Sequence, residues 1–136
     1  MPGSFAPTAV KWGVDNRTCS LRLVGHGPSL RIENRVPGGD VNPYLAVAAM
    51  IAAGLRGIDA GLELEEPFGG NAYDSGAERV PATLRDALAL WEGSPIAEEA
   101  FGKDVVEHYA NNARVELAAF DAAVTDWELY RGFERL

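Results

Sequence analysis

The amino-acid sequence predicts an α+β fold, a β-hairpin followed by a mainly helical C-terminal region. Three observations carry this. Residues 17–24 and 29–36 alternate apolar and polar side chains on either side of Gly25-His26-Gly27-Pro28, the pattern of two half-buried strands and a turn. Asn42-Pro43 sets a capping side chain before a residue whose fixed φ suits the first helical position, and an apolar run follows. Val106, Tyr109, Ala113, Leu117, Phe120, Val124 and Trp127 recur at steps of three and four, one apolar face of a long helix.

Taken in order, residues 5–12 read as a loop or short extended piece. In a hairpin that pairs Val24 with Ser29, Arg22 faces Arg31, Ser20 faces Glu33 and Thr18 faces Arg35. Leu21, Leu23, Leu30 and Ile32 then take the opposite face, and Cys19, alternating with the leucines, is expected to be buried. The next helix runs from Pro43 to about Asp59, with Gly57 and Gly61 near its end. Its run Leu45–Ala53 falls short of the ~20 apolar residues of a membrane span and reads as a buried core helix. Residues 65–81 are irregular. Residues 83–92 and 95–101 read as helices, and Tyr109, Phe120 and Trp127 of the last helix are assigned to core. Two strands cannot bury both faces of a sheet, so the hairpin is expected to belong to a larger one.

Composition narrows the classes of function. The 136 residues suffice for one domain with a core, and 47% hydrophobic content is ordinary for a globular protein. A net charge of −8 argues against nucleic acid and anionic membranes as partners. The charge is uneven, basic over the first 36 residues and acidic from Asp59 onward, as in an anion-binding part joined to an acidic helical body. Cys19 is the single cysteine, which excludes an internal disulfide and is compatible with the cytosol. Met1-Pro2-Gly3-Ser4 carries neither a basic nor an apolar leader segment, and a cytoplasmic location is expected.

Arg31, Glu33 and Arg35 occupy alternate positions of one strand and project from one face. Clustered charge is costly unless something fills the face, and a metal with a phosphate, or an anionic substrate, would do so. Arginine grips anionic oxygens in a planar fork that lysine cannot copy, and a carboxylate suits a hard cation. His26 and His108 have no partners at metal-ligand spacing.

Four segments carry a resemblance: Pro2-Gly3…Ala6-Pro7, Asn16-Arg17…Leu21-Arg22, Arg31-Ile32-Glu33-Asn34-Arg35 and Asn42-Pro43-Tyr44-Leu45. Together, in this order, they resemble the C-terminal part of the catalytic domain of the glutamine synthetase family, over nearly the whole of residues 1–136. The resemblance implies that the hairpin comes from the family's catalytic barrel. It also implies an ATP-dependent ligase that forms γ-glutamyl phosphate and lets an amine displace the phosphate. Its partners would be glutamate, ATP and a small amine, within a ring-shaped homo-oligomer. Arg17 matches an arginine contacting nucleotide phosphates and glutamate, Arg22 a nucleotide-phosphate arginine, and Glu33 a ligand of the divalent metal. Arg35 matches an arginine that holds glutamate and the transferred phosphoryl group.

Two departures bear on specificity. Ammonia-using members carry a glutamate in the loop after Pro-Gly, where this sequence has Phe5. An aromatic there is similar to relatives that ligate glutamate to organic amines, such as γ-glutamylpolyamine synthetases, and it makes Phe5 the expected wall of an amine pocket. The second is Gly27-Pro28-Ser29, which stands where some members carry a nucleotide-site lysine. Tyr73, in Asn71-Ala72-Tyr73-Asp74, resembles the loop tyrosine that regulated bacterial members nucleotidylate, and otherwise reads as an exposed loop tyrosine. The family's N-terminal β-grasp domain and the upstream segment with most of its metal ligands are not among these residues. A piece of a longer enzyme, silent by itself, is therefore expected. The alternative is a non-catalytic binding or assembly module that kept the fold.

Overall fold

Trp12–Val14 (β1), Leu21–Val24 (β2) and Arg31–Asn34 (β3) form a three-stranded sheet in the order β1-β2-β3, in a computed structural model that describes residues 6–133 and 135. β2 and β3 are antiparallel, and β1 runs parallel to β2. β1 begins at Trp12, the last residue of the stretch expected to be a loop or short extended piece, and takes in Gly13 and Val14, for which no element was expected. Its middle residue, Gly13, reads as a strand breaker, yet the packing requires it. A Cβ there would stand 2.7 Å from the Phe68 carbonyl oxygen and 3.2 Å from Cys19 Sγ.

The hairpin register is displaced by two residues from the expected one: Arg22 pairs with Glu33 and Val24 with Arg31. A shift of two leaves every side chain on its expected face but changes its partner. It exchanges an Arg22–Arg31 opposition for an Arg22–Glu33 one, and like charges directly opposite are unfavourable. The strands are correspondingly shorter than residues 17–24 and 29–36. The chain turns through a 3₁₀ segment, Gly27–Ser29, and Gly25 is obligatory because its φ of 91° would set a Cβ 2.2 Å from the Ser29 carbonyl oxygen.

The chain divides into two compact units, one ending at Ala82 and the other starting at Thr83. In the first, α1 spans Pro43–Asp59, with the Asn42 side chain accepting from the Tyr44 and Leu45 amides at 3.0 and 3.3 Å. The sequence placed this helix in the core, and that is corrected: no α1 residue is buried, and Tyr44 and Ile58 are 85% and 76% exposed. Residues 65–81 are irregular apart from a 3₁₀ turn, Ala72–Asp74, and an antiparallel bridge between Ala9 and Arg79. Cys19 is fully buried, as expected, and burial pushes its thiol pKa up.

In the second unit, α2 (Leu84–Glu92) and α3 (Pro95–Phe101) pack on α4 (Lys103–Ala122), and α5 spans Asp126–Phe133. Thr83 and Ser94 cap α2 and α3. Trp91 joins three helices: its Nε1–H donates to the Val106 carbonyl at 2.9 Å, and its ring lies 5.7 Å from that of Phe101. The single last helix of the sequence pattern is two. Thr125 Oγ1 accepts from the Glu128 amide, and the Glu128 carboxylate accepts from the Thr125 amide at 2.8 Å, a capping box that starts α5. The Thr125 amide and hydroxyl, both donating to it, hold the Glu128 carboxyl below the usual range. Phe120 and Trp127 are 67% and 65% exposed, so their assignment to core is also corrected. Among the described residues no helix is long and apolar enough to cross a membrane.

Candidate active site

β2 is the central strand, so Arg22 has a neighbour on either side. From β3, the Glu33 carboxylate accepts from Arg22 Nη1 at 3.0 Å. From the turn after β1, the Asp15 carboxylate accepts from Arg22 Nη2. Glu33 also lies 3.4 Å from Arg31 Nη2 and 3.5 Å from Arg35 Nη1. Arg35 sits just past β3, its amide donating to the Ser20 carbonyl at 2.9 Å. Arg22, Arg31, Glu33 and Arg35 thus share one face, as the alternation predicted. The guanidinium of Arg22 holds both carboxyls below the usual carboxylate range, and they in turn raise its own pKa.

Arg17 is exposed in the turn of residues 15–20, and its charge acts on Asp15. Asn16 organises that turn. Its Oδ1 accepts from the Thr18 amide at 3.0 Å and the Thr18 hydroxyl at 2.7 Å. Its Nδ2 donates to the carbonyls of Phe68 at 3.0 Å and Gly70 at 2.8 Å. Thr18 Oγ1 also accepts from the Ala72 amide at 2.9 Å. All four polar capacities of the Asn16 amide are therefore used, across more than fifty residues of sequence. Replacing Asn16 with alanine strands these partners and is expected to lower stability by about 1–3 kcal/mol. Denaturant unfolding of the protein checks this, and a loss below about 0.5 kcal/mol would contradict the account.

Phe5, the expected wall of the amine pocket, lies outside the described residues. Its chain neighbour Ala6 does not, and the Tyr73 hydroxyl donates to the Ala6 carbonyl at 3.1 Å. Tyr73 is half-buried where an exposed loop residue was expected. Arg79 supports the same strap, donating to Thr8 Oγ1 at 3.0 Å and to the Tyr73 carbonyl at 2.7 Å. Sequence reasoning singled out Arg17, Arg22, Glu33 and Arg35 but assigned no role to Asp15 or Asn16. A polar pair directly preceding Arg17 was the available signal.

The donor set fits one ligand position of a hard divalent cation. Glu33 supplies an ionised oxygen donor. Among the described residues no group of three His, Cys, Asp or Glu side chains could hold a metal, so Glu33 would be one ligand among others. The arginines fit phosphate oxygens, and the Arg22 Nε–H is buried with no acceptor among the described residues.

The structure thus presents a sheet face of three arginines around one carboxylate, followed by an Asn-Pro-capped helix. Residues 1–132 match the glutamine synthetase catalytic domain, and the chain belongs to that family. It is 70% identical over 135 residues to the gamma-glutamylethanolamide synthetase GlnA4 of Streptomyces coelicolor, covering 99% of this chain and 29% of that protein. It is 43% identical to type-1 glutamine synthetase 2 of Dictyostelium discoideum, over 97% of this chain and 26% of that protein. It is 39% identical to the glutamate–isopropylamine ligase of a Pseudomonas species, over 94% and 29%. Among solved structures, a GmaS/ADP complex superposes with a TM-score of 0.83 at 30% identity, over 96% of this chain and 30% of that one. The chain thus spans about three tenths of the length of the relatives it matches.

Proposed function

We propose that this chain contributes the arginine-rich side of the active site of an ATP-dependent ligase that joins an amine to the γ-carboxylate of glutamate. One observation carries the reading: Arg22, Arg31 and Arg35 converge on Glu33 from one sheet face. Arg17 and Arg22 bind nucleotide phosphates, and Arg17 and Arg35 bind glutamate. Arg35 also grips the phosphoryl group as it moves from ATP to the glutamate carboxylate. Glu33 is a ligand of Mg²⁺ or Mn²⁺, and the bound cation supplies charge neutralisation at the phosphates. The amine then attacks γ-glutamyl phosphate at the carbonyl carbon and expels phosphate. Glu33 shares the metal with ligands from the rest of the enzyme, and residues 1–136 alone are inactive. The active form is a cytoplasmic ring-shaped homo-oligomer.

The amine is organic rather than ammonia. Phe5 stands where ammonia-using relatives place a carboxylate, and the stretch Gly3–Trp12 holds no other. Ammonium is small and strongly hydrated, and it needs a charge to strip its water and a base to free its lone pair. A primary amine offers CH₂ groups worth about 0.8 kcal/mol each when buried on a ring. Its protonated form gains about 0.5–2 kcal/mol over the ring face. Two relatives, one named for an ethanolamide product and one for isopropylamine as the amine it ligates, support this choice. Phosphate release with glutamate and ATP, by the active enzyme carrying this sequence, is expected to be faster with ethanolamine or another primary amine than with ammonium. Ammonium ahead by a wide margin would return the protein to glutamine synthesis.

A further inference from the structure

Asp15 is the one non-glycine residue with positive φ among the described residues, at 50°. Aspartate tolerates this left-handed conformation better than most side chains, but it remains uncommon and needs a cause. The Asp15 amide donates to the Leu23 carbonyl at 2.9 Å, which continues the β1–β2 ladder by one step. The turn that follows brings the carboxylate back onto Arg22, on the side away from Glu33. The Asp15 side chain is itself 70% exposed, whereas that of Arg22 is 12% exposed. Burial of Asp15 therefore does not account for the conformation, whereas its carboxylate is fixed on Arg22.

We propose that Asp15 is a positioning residue that keeps the Arg22 guanidinium on the charged face when Glu33 turns to a metal. The inference rests on the reading of Glu33 as a metal ligand and Arg22 as a phosphate-binding arginine. In the structure Glu33 is the common acceptor for Arg22, with Arg31 and Arg35 beside it. Glu33, if it held a divalent cation, would accept less strongly from the guanidiniums around it. Arg31 and Arg35 can follow the incoming phosphates. Arg22, anchored on the central strand, keeps one carboxylate that the metal does not claim. That carboxylate holds the Nη2 end of the fork and leaves the Nη1 end for a phosphate. The arrangement is a second anchor whose importance appears only when the first is diverted.

The test compares ADP binding to the active enzyme, by calorimetry, with Mg²⁺ present and with metal removed by a chelator. Asp15→Asn is the variant, because asparagine accepts the same left-handed backbone and removes only the charge. With Mg²⁺, the ADP dissociation constant is expected to rise roughly three- to tenfold, the range of one weakened charge-assisted hydrogen bond. Without metal, where Glu33 still holds Arg22, the change is expected to stay below about twofold. In an Arg22→Gln background, Asp15→Asn should add nothing. Equal losses with and without metal would mean that Asp15 merely supports the turn, and would overturn the proposal. Weaker binding in Arg22→Gln with no effect of Asp15→Asn would overturn the positioning role alone. No effect of Arg22→Gln would instead remove the phosphate-binding reading beneath it.

Discussion

Replacing Arg35 with lysine is expected to lower the turnover number of the active ligase by about two to three orders of magnitude, while ADP binding weakens less than tenfold. Arg35 stands at the end of β3 with its guanidinium 3.5 Å from Glu33, next to the carboxylate proposed to hold the metal. A lysine keeps the charge but loses the planar fork that matches two phosphoryl oxygens at once. Charge that develops only during transfer is gripped only in the transition state, so its loss falls on turnover rather than on ground-state binding. Glu33→Gln should act differently, raising the metal concentration needed for half-maximal rate about tenfold or more, because a neutral amide is a poorer ligand for a hard cation. Phosphate release measured across a metal titration separates the two. Near-normal rates for both variants at ordinary metal concentration would contradict the site assignment.

The second large effect concerns the chain by itself. Residues 1–136 are expected to self-associate at micromolar concentration and to melt with poor cooperativity. Val47, Ile51, Leu55 and Ile58 form a stripe along α1 at helical spacing, each more than half exposed. Leu21, Leu30 and Ile32 add a second apolar area at the hairpin. Apolar surface gains about 25 cal/mol per Å² when covered, and extended patches on isolated chains drive association. Sedimentation velocity checks this, together with Val47→Gln, Ile51→Gln and Leu55→Gln combined. Because these side chains are exposed, the triple variant should reduce association without unfolding the chain. A monodisperse wild-type monomer with a sharp, high-temperature melt would contradict the expectation.

Local chemistry was legible and long-range geometry was not. Asn42-Pro43 set a helix start that the structure reproduces, because a cap and a proline act within one turn, and the helix expected from Pro95 starts there too. Alternation assigned Arg22, Arg31, Glu33 and Arg35 to one face, since a period of two survives a register shift of two. The partner of Arg22 was not legible, because it depends on how many residues the turn consumes. β1 hid behind Gly13, whose necessity comes from Phe68, a contact distant in sequence. The break before α5 was written as Thr125-Asp126-Trp127-Glu128 but masked by an apolar face that runs through it. Periodicity put Phe120 and Trp127 in the core, and an apolar run did the same for α1, yet Phe120 and Trp127 are exposed and no α1 residue is buried. Neither signal could say whether anything within the chain covers those side chains.

The Asn16 hub has a consequence for how the site moves. Residues 16–18 and 68–72 are joined by the Asn16 amide, the Thr18 hydroxyl and the backbone bond from the Phe68 amide to the Trp12 carbonyl. No part of this network can open without exposing the rest. The turn that carries Arg17 therefore behaves as one cooperative opening unit with a segment far from it in sequence. In hydrogen exchange, the amides of Thr18, Phe68 and Ala72 would share a common opening free energy and lose protection together. Arg17 would then be presented from a surface whose breathing is all-or-none rather than gradual.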